Sequence, residues 1–252
     1  VIASYSEKYF ICSLSTHLLI RTSIWLMLTV MLSMQVCAQN APQQKSYAKH
    51  VMRIKATDAF IQAVKFNARS RVEELLAQGE NPNACDTADT PMLVLALHED
   101  AFDVASLLIH QPNINFEQSN RHQETALMMA ALKGQLAIVK DIVQRGAEID
   151  RPGWSPLHYA ASNGHLEIVR YLIEQGAHVD AASPNHTTPL MMAARGGYIH
   201  IVKLLLDVDA DIFLKNDLDL TAADFAERYQ QKEIAQGLHS RMRKLQAIKK
   251  QS

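Results

Sequence analysis

The residues best suited to metal or nucleophilic chemistry in this 252-residue chain are its eleven histidines and three cysteines. Zinc needs donors spaced to converge on one point, and neither His-Glu-x-x-His nor Cys-x-x-Cys occurs. Asp207-Val-Asp209-Ala-Asp211 opens like a calcium loop. Ile212 then stands where that loop needs glycine, and Leu218 where it needs a bidentate glutamate. There is no Gly-x-Ser-x-Gly elbow, no glycine-rich phosphate cradle, and no carboxylate pair beyond those expected on helix surfaces. The sequence therefore predicts no enzyme, no metal site and no cofactor. A different use of the polar residues has to be sought in the elements that carry them.

Those elements recur. Thr125-Ala-Leu-Met-Met-Ala-Ala-Leu-Lys-Gly134, Ser155-Pro-Leu-His-Tyr-Ala-Ala-Ser-Asn-Gly164 and Thr188-Pro-Leu-Met-Met-Ala-Ala-Arg-Gly-Gly197 are variants of one phrase. Each is followed by paired apolar residues at helical spacing: 138, 139, 142 and 143; 168, 169, 172 and 173; 201, 202, 205 and 206. Thr90-Pro-Met-Leu-Val-Leu-Ala repeats the phrase more loosely. Taking equivalent positions at 58, 90, 125, 155, 188 and 221 gives intervals of 32, 35, 30, 33 and 33 residues.

The phrase resembles the ankyrin repeat, whose T-P-L-H-x-A core stands nearly whole as Ser155-Pro156-Leu157-His158-Tyr159-Ala160. The resemblance spans about 58–240. It implies an all-α solenoid of paired antiparallel helices, with four internal repeats between two capping repeats. Units are expected near 58–89, 90–124, 125–154, 155–187, 188–220 and 221–240. It also gives His158 and His165 structural roles. The residues support this independently: Ser155 and Thr188 suit an N-cap and Pro156 and Pro189 a first helical turn, while Gly134, Gly164 and Gly197 suit tight turns between helices.

Residues 1–38 read as an export signal, with Arg21 before an uncharged apolar run at 24–36 and Ala38 at a cleavage site. The run's thirteen residues fall short of the ~20 needed to span a membrane. Cleavage would leave 214 residues, with Cys85 as the one thiol. The style of the signal and the plain array suggest a bacterial, periplasmic protein. An uncleaved membrane anchor and a secreted effector are the alternatives; membrane contact is expected only in the first.

Residues 39–57 form a basic lead in which Tyr47, Val51 and Ile54 suggest a short amphipathic helix, and 241–252 form a basic tail. Between them, 58–240 holds 14 basic and 25 acidic residues, a net of −11 that opposes nucleic-acid binding. The resemblance implies a monomer binding a protein partner through a concave face. Its recognition slots lie one residue before each Thr/Ser and seven to eight after it. These slots and the adjoining loops select Asp89, His98, Arg121, His122, Glu124, Lys133, Trp154, Asn163, Arg195, Arg228 and Tyr229, with Leu97, Leu132 and Ser162 in neighbouring slots. Trp154 is singled out because Trp, Tyr and Arg dominate interface energetics.

Overall fold

The computed structural model describes residues 53–250. Among them are twelve α-helices in six pairs: α1 Asp58–Lys65 with α2 Arg69–Ala77, α3 Met92–His98 with α4 Phe102–Ile109, and α5 Ala126–Leu132 with α6 Leu136–Gln144. They continue with α7 Pro156–Ser162 and α8 Leu166–Glu174, α9 Pro189–Gly196 and α10 Ile199–Asp207, and α11 Ala222–Arg228 and α12 Lys232–Lys249. This is the all-α, six-unit ankyrin architecture. The segments 1–38, Tyr47 and Val51 lie outside the described residues.

Local chemistry starts each first helix. The hydroxyls of Thr57, Thr125, Thr188 and Thr221 accept the N–H three residues on. At Thr221 the cap is reciprocal, because its own N–H donates to the Asp224 carboxylate at 2.7 Å. Pro156 and Pro189 open α7 and α9, where a missing N–H costs nothing. Each first helix ends in a left-handed residue: Asn67, Asp100, Gly134, Gly164, Gly197 or Gln230. At Gly134 side-chain room matters as well as φ. The His165 imidazole lies against it, and an added Cβ would stand 2.6 Å from that ring. The same His165 ring meets the Leu132 carbonyl at 2.9 Å, which confirms its structural role.

The second unit begins one residue later than the Thr-Pro motif suggests. Pro91, not Thr90, is the N-cap of α3. Its place matches Thr125, since Cys85 bridges to Pro91 as Ser119 does to Thr125. At Ser155, Thr188 and Thr221 the N-cap N–H bonds to the side chain three residues on, whereas Pro91 has none to satisfy, and the slot holds Val94. Leu97 consequently faces the core, fully buried.

Like helices stack on like. First helices contact their neighbours more extensively than second helices do. The reason is small side chains at the first-helix contacts: Ala130-Ala131, Ala160-Ala161, Ala193-Ala194 and Ala222-Ala223 are all buried. Leu108, Ile142, Leu172 and Leu205 fill the layer beneath.

A polar ladder joins the connections between units. The side chain four residues past each left-handed turn accepts a backbone N–H two residues past the next such turn. Asn83 accepts from Asn115, Glu117 from Glu148, Asp150 from His178, and Asp180 from Asp211. The Asp207–Asp211 run is absorbed here: Asp209 supplies the left-handed turn, and the Asp211 carboxylate accepts from the Phe213 N–H.

Both ends differ from the expectation. Residues 53–56 are extended rather than helical, so the expected lead helix does not reach Ile54. The Cys85 N–H donates to Ile54, and the Ala56 N–H donates to Cys85. At the other end the boundary drawn at 240 falls inside α12. Counting twelve residues from the left-handed turns at Asn67, Gly134, Gly164 and Gly197 reaches Gly79, Gly146, Gly176 and Asp209, each with positive φ. Twelve from Gln230 reaches Met242, which has no such preference, and the helix runs on to Lys249.

Candidate partner-binding face

The solvent side of the first helices carries two rows of residues. Seven past each N-cap stand His98, Leu132, Ser162, Arg195 and Arg228; eight past stand Glu99, Lys133, Asn163, Gly196 and Tyr229. Phe66 occupies the corresponding place just before the left-handed Asn67, 78% exposed. Nothing in the end unit's core motif flagged it, because that motif is replaced there and α1 is one residue longer than α5.

Several predicted residues are tied to the neighbouring unit. Lys133 pairs with Asp100 at 2.8 Å and donates to the His98 carbonyl at 2.9 Å. Asn163 donates to the Leu132 carbonyl at 3.1 Å. Glu124 accepts from Asn120 at 2.7 Å and from the Tyr159 hydroxyl at 3.0 Å. Burial and that carboxylate push the Tyr159 phenol up, keeping it protonated. Arg195 lies over the Tyr229 ring, 4.8 Å from its centre.

Asp89, Arg121 and His122 sit at connection tips instead. Arg121 donates to the Ala88 carbonyl at 3.0 Å. Asp89, pulled below the usual carboxylate range by its bond to Lys55, forms an ion pair at 2.5 Å. With Pro91 as N-cap, the slot assigned to Asp89 belongs to Thr90.

The acidity of the array is unevenly placed. The five connections 78–91, 110–125, 145–155, 175–188 and 208–221 hold 12 acidic and 4 basic residues, and seven of those acids lie in the first and last. The basic ends meet those two connections at Asp89 and Phe213, and reach elements beside them at Ser119 and Leu206. Lys55 pairs with Asp89 and Arg53 reaches the Ser119 carbonyl at 3.0 Å. At the far end Arg241 donates to the Leu206 carbonyl at 3.1 Å, and Lys249 lies 5.4 Å over the Phe213 ring. The 145–155 connection, with two acids and two bases, is balanced.

That connection is also the shortest. From the left-handed residue after a second helix to the one before the next first helix, Gly79 to Asp89 spans ten residues, as do Asn113 to Gln123, Gly176 to His186 and Asp209 to Asp219. Gly146 to Gly153 spans seven. The lost residues include the side chain that ties the hairpin elsewhere: Asp86, Asn120, Ser183 and Asn216 each accept the N–H of the residue four on.

Trp154 stands where the shortened segment enters α7. It is half-buried and edge-on to His158, 5.2 Å between ring centres, with Tyr159 at 6.4 Å. Leu132, Trp154, His158, Tyr159, Ser162 and Met192, from three consecutive units, line a cavity of about 190 Å³. The spacing of the motif identified Trp154; Tyr159 and Met192 were hidden because they belong to helix positions that elsewhere pack inward.

His158 forms the floor. The Ser155 N–H donates to its Nδ1 at 3.2 Å, which places the proton on Nε2, 2.9 Å from the Thr187 carbonyl. Burial lowers its pKa to about 4, so the ring is a neutral strut between units rather than a ligand. Cys85 is fully buried, and burial raises its thiol. Among the described residues no group of three or more His, Cys, Asp or Glu side chains is placed to hold a metal.

The profile of "Ankyrin repeats (3 copies)" matches residues 60–152 and 149–216. A stretch of 91 residues is 36% identical to Alpha-latrocrustotoxin-Lt1a of Latrodectus tredecimguttatus, covering 36% of this chain and 6% of the toxin. The match is thus a small part of a much longer protein. Helix pairing, turn spacing, inter-unit bonding and profile agree: the chain belongs to the ankyrin-repeat family.

Proposed function

We propose that this non-catalytic helical module is a monomeric scaffold that binds a protein partner through the first-helix face. The observation that carries the proposal is the division of labour on those helices. Within α7, Leu157, Ala160 and Ala161 are buried while Ser162 and its neighbour Asn163 face outward. The outward slots change in size, charge and polarity from unit to unit, whereas in the four internal units the slots of Leu157, Ala160 and Ala161 stay small or apolar. A surface so released from folding is available for recognition.

Photo-crosslinking tests it. A crosslinking residue at the exposed Asn163 is expected to capture a partner from the native compartment, and one at Glu174 on α8 is not. Capture from Glu174 alone would move the site to the second-helix face.

Export by residues 1–38 belongs to the same proposal, placing the array in the periplasm of a bacterium. What supports it is the charge-free run at 24–36 behind Arg21. N-terminal sequencing of the protein from cells should find Gln39 first; retention of the segment in the membrane fraction would favour an anchor.

A further inference from the structure

We infer that the cavity at Trp154 is an anchor pocket for one bulky apolar side chain of the partner, and that Arg195 and Arg228 receive an acidic residue of the same segment. The inference rests on the protein-binding reading above and specifies its chemistry.

The lining decides the apolar part. Trp154, Leu132, Met192 and the Tyr159 ring supply most of the wall. Among the polar side chains of the lining, those of His158, Tyr159 and Ser162 are already engaged, and only the Trp154 indole N–H has no hydrogen-bond partner among the described residues. His158 is held by Ser155 and Thr187, the Tyr159 hydroxyl by Glu124, and the Ser162 hydroxyl donates to the Tyr159 carbonyl at 2.9 Å. A polar occupant would lose its hydration without finding these partners. The volume of about 190 Å³ is below the roughly 300–1,000 Å³ of drug-sized ligand sites and suits a single large side chain.

The row decides the charge. Leu132, Ser162, Arg195 and Arg228 hold the same slot on successive first helices, and packed helices stand about 8–10 Å apart. Met192, in the pocket wall, is three residues before Arg195 on α9 and so shares its face. On the other side Lys133 is neutralised by Asp100. Among the described residues neither Arg195 nor Arg228 has a carboxylate within ion-pair distance, and Arg195 is held against the Tyr229 ring instead. On the α9 and α11 side of the pocket the uncompensated charge is therefore positive. The Glu124 carboxylate, held by Asn120 and the Tyr159 hydroxyl, lies on the opposite side and leaves the acid of the bound segment to the two arginines. An extended segment advances about 3.3 Å per residue, which puts the acid about three or four positions from the anchor.

Selection of a random peptide library displayed on phage against the full chain tests this. Enriched peptides are expected to share a large apolar residue with Asp or Glu three or four positions away. Their affinity should fall at least tenfold on Trp154→Ala, on the pocket-filling Ser162→Phe, and on Arg195→Glu. Changing the peptide's acid to Lys should restore binding to Arg195→Glu. Circular dichroism confirms that each variant is folded, and the two pocket variants change the site in opposite ways.

Enrichment of basic peptides, Trp154-dependent self-association of the chain, or no enrichment would overturn the proposal. Peptides indifferent to the pocket variants but weakened by Phe66→Ala or Tyr229→Ala would sink the pocket and keep the first-helix face. Peptides indifferent to all of these would remove both.

Discussion

The connections before α9 and before α7 join the same kinds of helices, yet they are built differently. The segment 175–188 is full length, and its tip is closed by the Ser183 hydroxyl accepting the Thr187 N–H at 2.9 Å. The segment 145–155 lacks three residues and that closure, but keeps Asp150 bonded to the His178 N–H at 2.8 Å. What was shortened is the tip; what survived is the rung that holds consecutive units in register. Where the tip is missing, a tryptophan stands at the mouth of a cavity. Stacking and recognition thus draw on separate residues a few positions apart.

The largest expected effect probes whether both junctions rest on equal cores. Leu172→Ala beneath the long connection and Ile142→Ala beneath the short one each empty a fully buried site. Each should cost about 2–5 kcal/mol in denaturant unfolding. A much smaller cost at Ile142 would mean that the shortened junction is loosely packed, and the comparison would fail at its base.

Next comes the strut under Trp154. The folded-state pKa of His158, about 4, lies below its ordinary 6.5, so the unfolded chain takes up the proton first. Its contribution is fully present above pH 6.5 and is lost as pH falls toward 4, to a total of about 3 kcal/mol. The corresponding slots in the units on either side hold Met128 and Met191. His158→Met should therefore remove this part of the pH dependence. An unchanged stability profile between pH 6.5 and 4 would show that the ring is protonated without penalty.

The ladder gives a smaller effect. Asp150→Ala and Asp180→Ala each remove one inter-unit bond and should cost about 1 kcal/mol. A loss at Asp180 with none at Asp150 would show that the rung across the short connection carries no load. Smallest of all, inserting Ser-Asn-Asn between Arg151 and Pro152 to restore the common length should change stability by no more than about 0.6 kcal/mol. If the shortening has no role in recognition, the insertion will also leave peptide binding intact.

The fold was legible in the sequence because each unit states its own limits. A capping hydroxyl, an apolar pair at helical spacing and a turn residue are local signals, and they recur. The second unit misled because Thr90-Pro91 copies the letters of Thr188-Pro189 while Pro91 takes the cap position itself. Left-handed Asp100 was hidden for a related reason, since it stands one place later than the motif register implied. The end of α12 required noticing what Met242 is not.

The candidate face was only partly legible. Outward slots follow from the repeat, which is how Arg195, Arg228 and Tyr229 came to share a surface. The cavity does not follow from it, because Leu132, Trp154 and Met192 meet there from three units. Nor did the summed charge of the array reveal that acids cluster in the terminal connections, where Lys55 and the α12 extension approach them.

Recognition and stacking are separable at the Trp154 junction if different residues carry them. Calorimetric titration of the best selected peptide against the Trp154→Ala, Arg195→Ala double variant, with its melting curve, tests it directly. Affinity should fall at least a hundredfold while helical content and melting temperature stay those of the parent. Unaltered affinity, or a loss that appears only together with a lowered melting temperature, would contradict it.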